Sequence, residues 1–430
     1  MALKYSLGYY LNHGNSNLEL KDIKKYFPIL NTHVNNNCLV WFDNGATTQK
    51  PEAVINKMNE YLVKYNSNVH RSPHYLSKIS DEMFNKSRVL VSKYICSESE
   101  KEIIFTKGTT EGMNLLTNSF AYNLIQKSST PVTILLTTME HHSNIVPWQI
   151  LHDKIPFYLE YIDFEHTGHL DLIKLEKAII KNPSIKILSI THVSNVLGTI
   201  NPIKEICSIA HKYNIYVIID GAHGIPHEKI DVKNINCDFY VFSGHKLFGP
   251  TGIGIVYGKY DLLKNMPAWQ GGGSMIEHVT PYHSKYKEPP EKFEAGTPPI
   301  VEVIGLGETI AFLNRLNWKD VVAYEKYLMN YMYDKLKKIP GLIILGDSNF
   351  DRVPIYSFIV NNIDMNKLVE ILDKNGIAIR YGHHCAQLVM DHYNITESLR
   401  ASLSFYNTTS EIDKFINVMS IYIRSDTLLL

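Results

Sequence analysis

Lys246 closes the tetrapeptide SGHK, directly after the apolar run Phe239–Phe242 and before the loop LFGPTGIG. A lysine leaving a buried strand for a glycine-rich loop has its ammonium form disfavoured, the state a Schiff-base lysine needs. By itself it reads more readily as a strand-end lysine reaching solvent. Asp220 ends another apolar run, in IIDGAHG, 26 residues earlier. Ligands of α/β sheets gather at the carboxyl ends of the strands, so these two groups are expected to converge on one crevice. An acid facing a pyridine nitrogen and a lysine that forms an imine are the two protein groups that pyridoxal phosphate chemistry requires.

Further polar groups follow other apolar runs. Gly108–Thr109–Thr110–Glu111 comes after EIIFT and opens a helical pattern, offering N–H groups and hydroxyls to a phosphate. The same residues also suit an ordinary helix cap, and neither GxxxxGK[ST] nor a strand-following GxGxxG is present. His141 and His142, in TTMEHHSN, could stack on a flat ring or shuttle protons, or be a surface pair. Asn195 stands in THVSNVLGT after a further run. Near the end, Arg380–Tyr–Gly–His–His–Cys385–Ala sets a thiol beside two histidines and an arginine, surroundings that favour the thiolate. A metal reading would take His383, His384 and Cys385, but three adjacent residues wrap poorly around a tetrahedral ion. A plain buried cysteine is the third reading.

The elements that must position these groups alternate in type. Strands are expected at Ile103–Thr106, Val132–Thr137, Phe157–Ile162, Ile185–His192, Tyr216–Asp220, Phe239–Ser243 and Ile253–Tyr257. Helical spacing joins Met113, Leu116, Thr117 and Phe120, then Leu172, Leu175 and Ile179, and a helix opens at Pro202. Strands alternating with helices predict a mostly parallel sheet covered by helices. Pro267–Pro299 is rich in Gly and Pro without periodicity and reads as a long functional loop. Beyond it the pattern predicts a smaller α+β domain: a helix over Asp320–Lys338, strands at Leu342–Leu345 and Ile355–Ile359, a helix over Met365–Lys374, a strand at Ile377–Arg380 and a last helix from Ser410. The expected division is an N-terminal segment (1–37), a large cofactor-binding domain (38–305) and a small domain carrying the cysteine loop (306–430).

Composition narrows the partners. The chain has 430 residues, 45% apolar and 20% charged, with 43 basic against 43 acidic side chains. That balance rules out disorder and supplies no general field for nucleic acid or an anionic membrane. The longest apolar runs are strand-sized, well below the ~20 residues of a membrane span. Five scattered cysteines without a CxxC pair argue against a disulfide framework or a cysteine-built metal site, and suit a reducing compartment. The N-terminus reads poorly as a secretory or transit signal, so a cytoplasmic location is expected, though an organelle interior fits the same features.

From about Asp22 to Tyr422 the chain resembles the group II, Suf-type cysteine desulfurases of the class V aminotransferase superfamily, through FDNGATTQKP, NVHR, GTTEGMN, MEHHSNIVPWQ, THVSNVLGT, DGAH, CDFYVFSGHKLFGPTGIGI, GGGSMI, FEAGTP and RYGHHCAQ. The resemblance implies fold type I of the pyridoxal phosphate enzymes and a homodimer with active sites at the subunit interface. It implies that Lys246 binds pyridoxal phosphate, Asp220 pairs with the pyridine nitrogen and His141 stacks on the ring. Thr110, Ser243 and His245 would hold the phosphate, with Thr297 reaching it from the other subunit. Asn195 and Arg400 would grip the carboxylate of L-cysteine, Arg380 and His70 would lie at the substrate, and Cys385 would attack the sulfur. Family members usually carry Gln where this chain has His223, a group expected to hydrogen-bond the cofactor's phenolic oxygen.

The implied activity converts L-cysteine to L-alanine and leaves a persulfide on Cys385, for a Suf-system acceptor protein and iron–sulfur cluster assembly. Selenocysteine lyase, transaminase or β-lyase activity, and a non-catalytic scaffold of the same fold, are the alternatives. Cys385 discriminates, since a transaminase has no need of it.

Overall fold

The computed structural model describes residues 18–70, 72–346 and 351–427, with side chains up to Arg424. Seven strands build the large sheet: β1 (Ile103–Thr106), β2 (Thr133–Thr137), β3 (Tyr158–Ile162), β4 (Ile185–Thr191), β5 (Tyr216–Asp220), β6 (Phe239–Ser243) and β7 (Gly254–Gly258). Their order is β1-β7-β6-β5-β4-β2-β3. The inner strands are rich in Val, Ile, Leu and aromatic residues and buried along nearly their whole length, as a parallel sheet covered on both faces demands. Edge strand β3 instead exposes most of its residues. β7 alone runs against its neighbours, pairing antiparallel with both β1 and β6.

Register matters for function. Thr191 pairs with Asp220, and Asp220 with Val241, so β4, β5 and β6 end at nearly one level. The helix Thr109–Leu115 lies so close on the sheet that a Cβ at Gly112 would meet Val241 and Val256 at under 3 Å. Only glycine permits that approach, which brings the Thr109–Thr110 end of the helix to the same edge.

Four antiparallel strands form the second sheet: β8 (Leu342–Ile344), β9 (Ile355–Val360), β10 (Arg380–Gly382) and β11 (Ser398–Ser402), ordered β8-β9-β11-β10. Helices Trp318–Leu336, Met365–Lys374 and Thr409–Thr427 cover it. The first two start at side-chain caps, Asn317 and Asp364, each accepting from a backbone N–H of the first turn.

Several expectations change in detail. Pro267–Pro299 is not wholly irregular: Ile276–Val279 pairs with Ser284–Tyr286 in a hairpin. The hairpin is largely exposed, so no buried face imposed an alternating pattern on its sequence. The strand expected at Ile377–Arg380 is two: Ile377–Ala378 pairs in parallel with Val40–Trp41, and the chain then joins the small sheet at Arg380. Helix Ile300–Leu313 runs unbroken through residues 305 and 306, its apolar surface buried against helices Glu52–Lys64 and Tyr75–Tyr94. Of the expected N-terminal segment, residues 1–17 lie outside the described residues; Ile23, Phe27 and Leu30 are buried in the large core, with Phe27 against Phe248, Phe312 and Tyr406. Val40 and Phe42 belong to the core of the small sheet. Among the described residues no helix is long and apolar enough to cross a membrane.

Candidate active site

A cavity of about 220 Å³ opens at the carboxyl ends of β4, β5 and β6, where Asp220, Lys246, His141, Asn195, Arg400 and Cys385 meet. Lys246 ends the short 3₁₀ turn that follows β6. Its Nζ lies 2.9 Å from Nε2 of His223. Burial pulls its pKa down to about 8; Asp220 opposes the drop, and Arg400 and Arg380 reinforce it. Asp220 is itself buried, which raises its pKa against the bond it accepts from Ala222 N–H and the charge of Lys246. His223 is held well below the usual histidine range by burial and by Lys246 and Arg400, so its imidazole is neutral and Nε2 accepts from the ammonium.

His141 begins the turn His142–Asn144, and its Nδ1 accepts from Ser143 N–H at 3.0 Å. That bond leaves the ring proton on Nε2. Burial, then the positive charge of Lys246, lowers its pKa to about 3, so this tautomer persists at neutral pH. Ser243 Oγ accepts from Thr109 N–H at 2.8 Å, and Thr110 Oγ1 meets Ser143 Oγ at 2.7 Å. With His245 these hydroxyls make one end of the cavity rich in donors, and an adjoining hollow of about 520 Å³ shares Thr109, Thr110, Ser243 and His245.

The small sheet delivers the other wall. Arg400, on β11, is buried, with Nη1 on the Asn195 carbonyl at 2.9 Å and Nη2 3.4 Å from Asp43 Oδ1. Among the described residues its Nε has no hydrogen-bond partner. Arg380 is half exposed, with Nε 3.9 Å from the other Asp43 oxygen. Cys385 is exposed, and with His384 it takes the left-handed backbone conformation, φ 54° and 53°. Such strain persists only where neighbours over-determine the geometry. Here the His384 carbonyl accepts from Asn195 Nδ2 at 2.7 Å and the Cys385 carbonyl from His142 N–H at 2.8 Å. Cys385 N–H donates to His383 Nδ1 at 3.1 Å.

Two expected residues lie elsewhere. His70 is exposed, its N–H on Asp81 Oδ1 at 2.6 Å and its ring edge-on to Phe84, and Thr297 is exposed beside Asn68. Neither borders the cavity of its own chain. His384, considered above only as a metal ligand, borders it too, and so do Ser143, Gly45 and Ala46, which were not singled out by residue type. Ser143, Gly45 and Ala46 all stood inside quoted motifs, but a serine, glycine or alanine carries no chemical signal of its own. Among the described residues no group of three His, Cys, Asp or Glu side chains is placed to share a metal ion.

The sequence profile of the class-V aminotransferases matches residues 40–415. The chain belongs to that family. It is 43% identical to a cysteine desulfurase of Wigglesworthia glossinidia brevipalpis over 403 residues, 93% of this chain and 96% of that protein. A probable cysteine desulfurase of Halalkalibacterium halodurans is 42% identical over 392 residues, covering 91% and 95%. Within the family, the solved apo structure of a cysteine desulfurase from Thermococcus onnurineus superposes with a TM-score of 0.89 at 33% identity, covering 95% of this chain and all of that one. A cysteine desulfurase from Escherichia coli gives 0.86 at 30% identity, covering 96% and 99%. The family's fold is therefore the fold of this chain.

Proposed function

We propose that this chain is a pyridoxal-phosphate-dependent cysteine desulfurase. The observation that carries the reading is the meeting of Lys246, Asp220, Arg400 and Cys385 around one cavity. A transaminase on this fold would use the first three and have no use for the thiol. The residues fit the cofactor: a buried lysine of lowered pKa, a buried acid at the floor and a donor-rich end of Thr110, Ser243 and His245. Pyridoxal phosphate, when bound, supplies an electron sink for the pair released at the substrate α-carbon.

The chain's own groups do the rest. Arg400, with its spare Nε, and Asn195 hold the carboxylate of L-cysteine. Lys246, whose lowered pKa of about 8 makes its neutral amine accessible, takes the α-proton. His141 holds the ring and keeps an Nε2 proton available at the cavity wall. The Cys385 thiolate attacks the substrate sulfur, so an S–S bond forms as the C–S bond breaks, and the bonding pair stays with the three-carbon fragment. That fragment takes up the substrate thiol's proton at the β-carbon, regains a proton at the α-carbon from Lys246 and leaves as L-alanine, with a persulfide on Cys385. Replacing Cys385 by Ser is expected to leave cofactor absorbance intact and to lower alanine formation by roughly 100-fold or more. Undiminished sulfide release from free cysteine would overturn the assignment.

The group II, Suf-type subtype is part of this proposal. Cys385 sits on a short connection between β10 and helix Gln387–His392, pinned by Asn195 and His142, so the thiol has little reach and an acceptor protein must approach it. Iron–sulfur cluster assembly is the proposed destination of the sulfur. A homodimer is supported by the exposure of His70 and Thr297, which the Asn68–Thr297 contact brings to one face, where they would complete the partner's site. The unbroken helix Ile300–Leu313 favours a domain boundary just beyond it rather than at 305. Five free cysteines are in keeping with a reducing compartment such as the cytoplasm.

A further inference from the structure

The segment FDNGATTQK, residues 42–50, carries none of the groups given a step in the proposed reaction, yet it touches both walls of the cavity. Phe42 is anchored in the small-sheet core, and Asp43 contacts Arg400 and Arg380. Gly45 donates its N–H to Ser402 Oγ at 2.7 Å, and a Cβ there would lie 3.0 Å from the Arg400 guanidinium. Two to five residues on, the same segment reaches the loop that presents Lys246. The His245 carbonyl, the acceptor of the peptide joining His245 to Lys246, faces four donors: Thr48 N–H at 3.1 Å, Thr47 Oγ1 at 3.0 Å, Thr48 Oγ1 at 3.1 Å and Lys50 Nζ at 3.1 Å. Thr48 Oγ1 also accepts from Phe248 N–H at 2.7 Å, which ties down the far side of the loop.

Lys50 is the charged member of this cluster. Its Nζ also bonds Thr47 Oγ1 at 3.1 Å and the Thr48 carbonyl, so all three contacts go to the strap or to the loop it holds. Partial burial lowers its pKa to about 8, and among the described residues no acidic side chain pairs with it. A half-buried ammonium kept on backbone carbonyls rather than on a carboxylate gains charge-assisted hydrogen bonds and fixes the carbonyls it touches. We infer that Lys50 is a positioning residue for Lys246: through the His245 carbonyl it fixes the peptide that aims the Lys246 amine into the cavity, and the strap it ends sets that amine against the arginines of the small sheet.

The inference rests on the proposed function, in that Lys246 is taken as the cofactor-binding lysine. Its test needs no turnover. The apo protein is mixed with pyridoxal 5′-phosphate, reduced with borohydride at timed intervals, and the labelled lysines are located by mass spectrometry. Lys50→Met is expected to label Lys246 about 10-fold more slowly than wild type, while Lys50→Arg, which can still donate to the carbonyl, recovers most of the rate. Thr47→Val, which removes one hydroxyl from the same carbonyl, should slow labelling less, and it supplies the answer if Lys50→Met does not fold. Thermal unfolding of each apo variant separates a loss of stability from a loss of aim. Labelling of Lys246 at the wild-type rate in folded Lys50→Met, or in Thr47→Val where Lys50→Met is unfolded, overturns the positioning role alone. Failure of the wild-type chain to label at Lys246 overturns the functional reading, and the role of Lys50 with it.

Discussion

His223 stands 2.9 Å from the amine of Lys246, and that distance turns a departure from the usual glutamine into a specific expectation. The imidazole is neutral and accepts from the ammonium, so it stabilises the protonated lysine against the burial that lowers its pKa to about 8. In His223→Leu that acceptor is gone. The Lys246 pKa should fall further, and the pH midpoint for its reaction with an aldehyde in the apo protein should move to lower pH. His223→Gln keeps an acceptor at the same place and should move the midpoint by only a few tenths of a unit. The rate of borohydride-trapped labelling measured from pH 6 to pH 10 checks both; an unmoved Leu variant would mean that the contact does not set the lysine's titration.

At the scale of elements, one buried ion pair holds three pieces of the large body together. Arg88, on helix Tyr75–Tyr94, forms two bonds of 2.7 and 2.8 Å to Glu294 and a third, 2.7 Å, to the Ile103 carbonyl, while Glu294 accepts from Phe105 N–H at 2.8 Å. The guanidinium also lies 4.2 Å over the Phe105 ring. Both side chains are about 7% exposed, so removing one leaves an uncompensated charge in the interior. Glu294→Ala should therefore lower unfolding stability by about 3–5 kcal/mol, read as a fall in urea midpoint. The sequence showed Glu294 only as a letter of FEAGTP, because neither partner lies within a local repeat of the other. By contrast, strands such as Tyr216–Asp220 and Phe239–Ser243 were legible to the residue, since both faces are buried and the apolar run is uninterrupted. The hairpin at Ile276–Tyr286 was not, because exposure on both faces leaves no pattern to read.

At the scale of the whole molecule, the exposed placement of His70 and Thr297 sets up a test of shared active sites. A Lys246→Ala chain has no lysine in its own site but an intact Thr297; a Thr297→Ala chain has the reverse. If Thr297 serves the partner's site, a mixed dimer contains one site with both groups. Refolding the two variants together should restore about half of the wild-type activity per mixed dimer, whereas a Thr297 acting within its own chain would leave only about half the activity of the Thr297→Ala protein.

The sequence by itself determined the mostly parallel large sheet, the smaller α+β body and the placement of Lys246, Asp220, Asn195 and His141 at strand ends. Each of these follows from local burial: a strand covered on both faces must be apolar, so the polar residue that breaks the run marks its carboxyl end. Only the tertiary structure decided that Asp43 faces Arg400 and Arg380, that His223 faces Lys246, that Asn195 holds the Cys385 loop, and that Lys50 reaches the His245 carbonyl. With the exception of His223 and Lys246, these contacts join residues separated by well over 100 positions. Their types alone say only that each wants a partner, and the packing of one sheet against the other decides which.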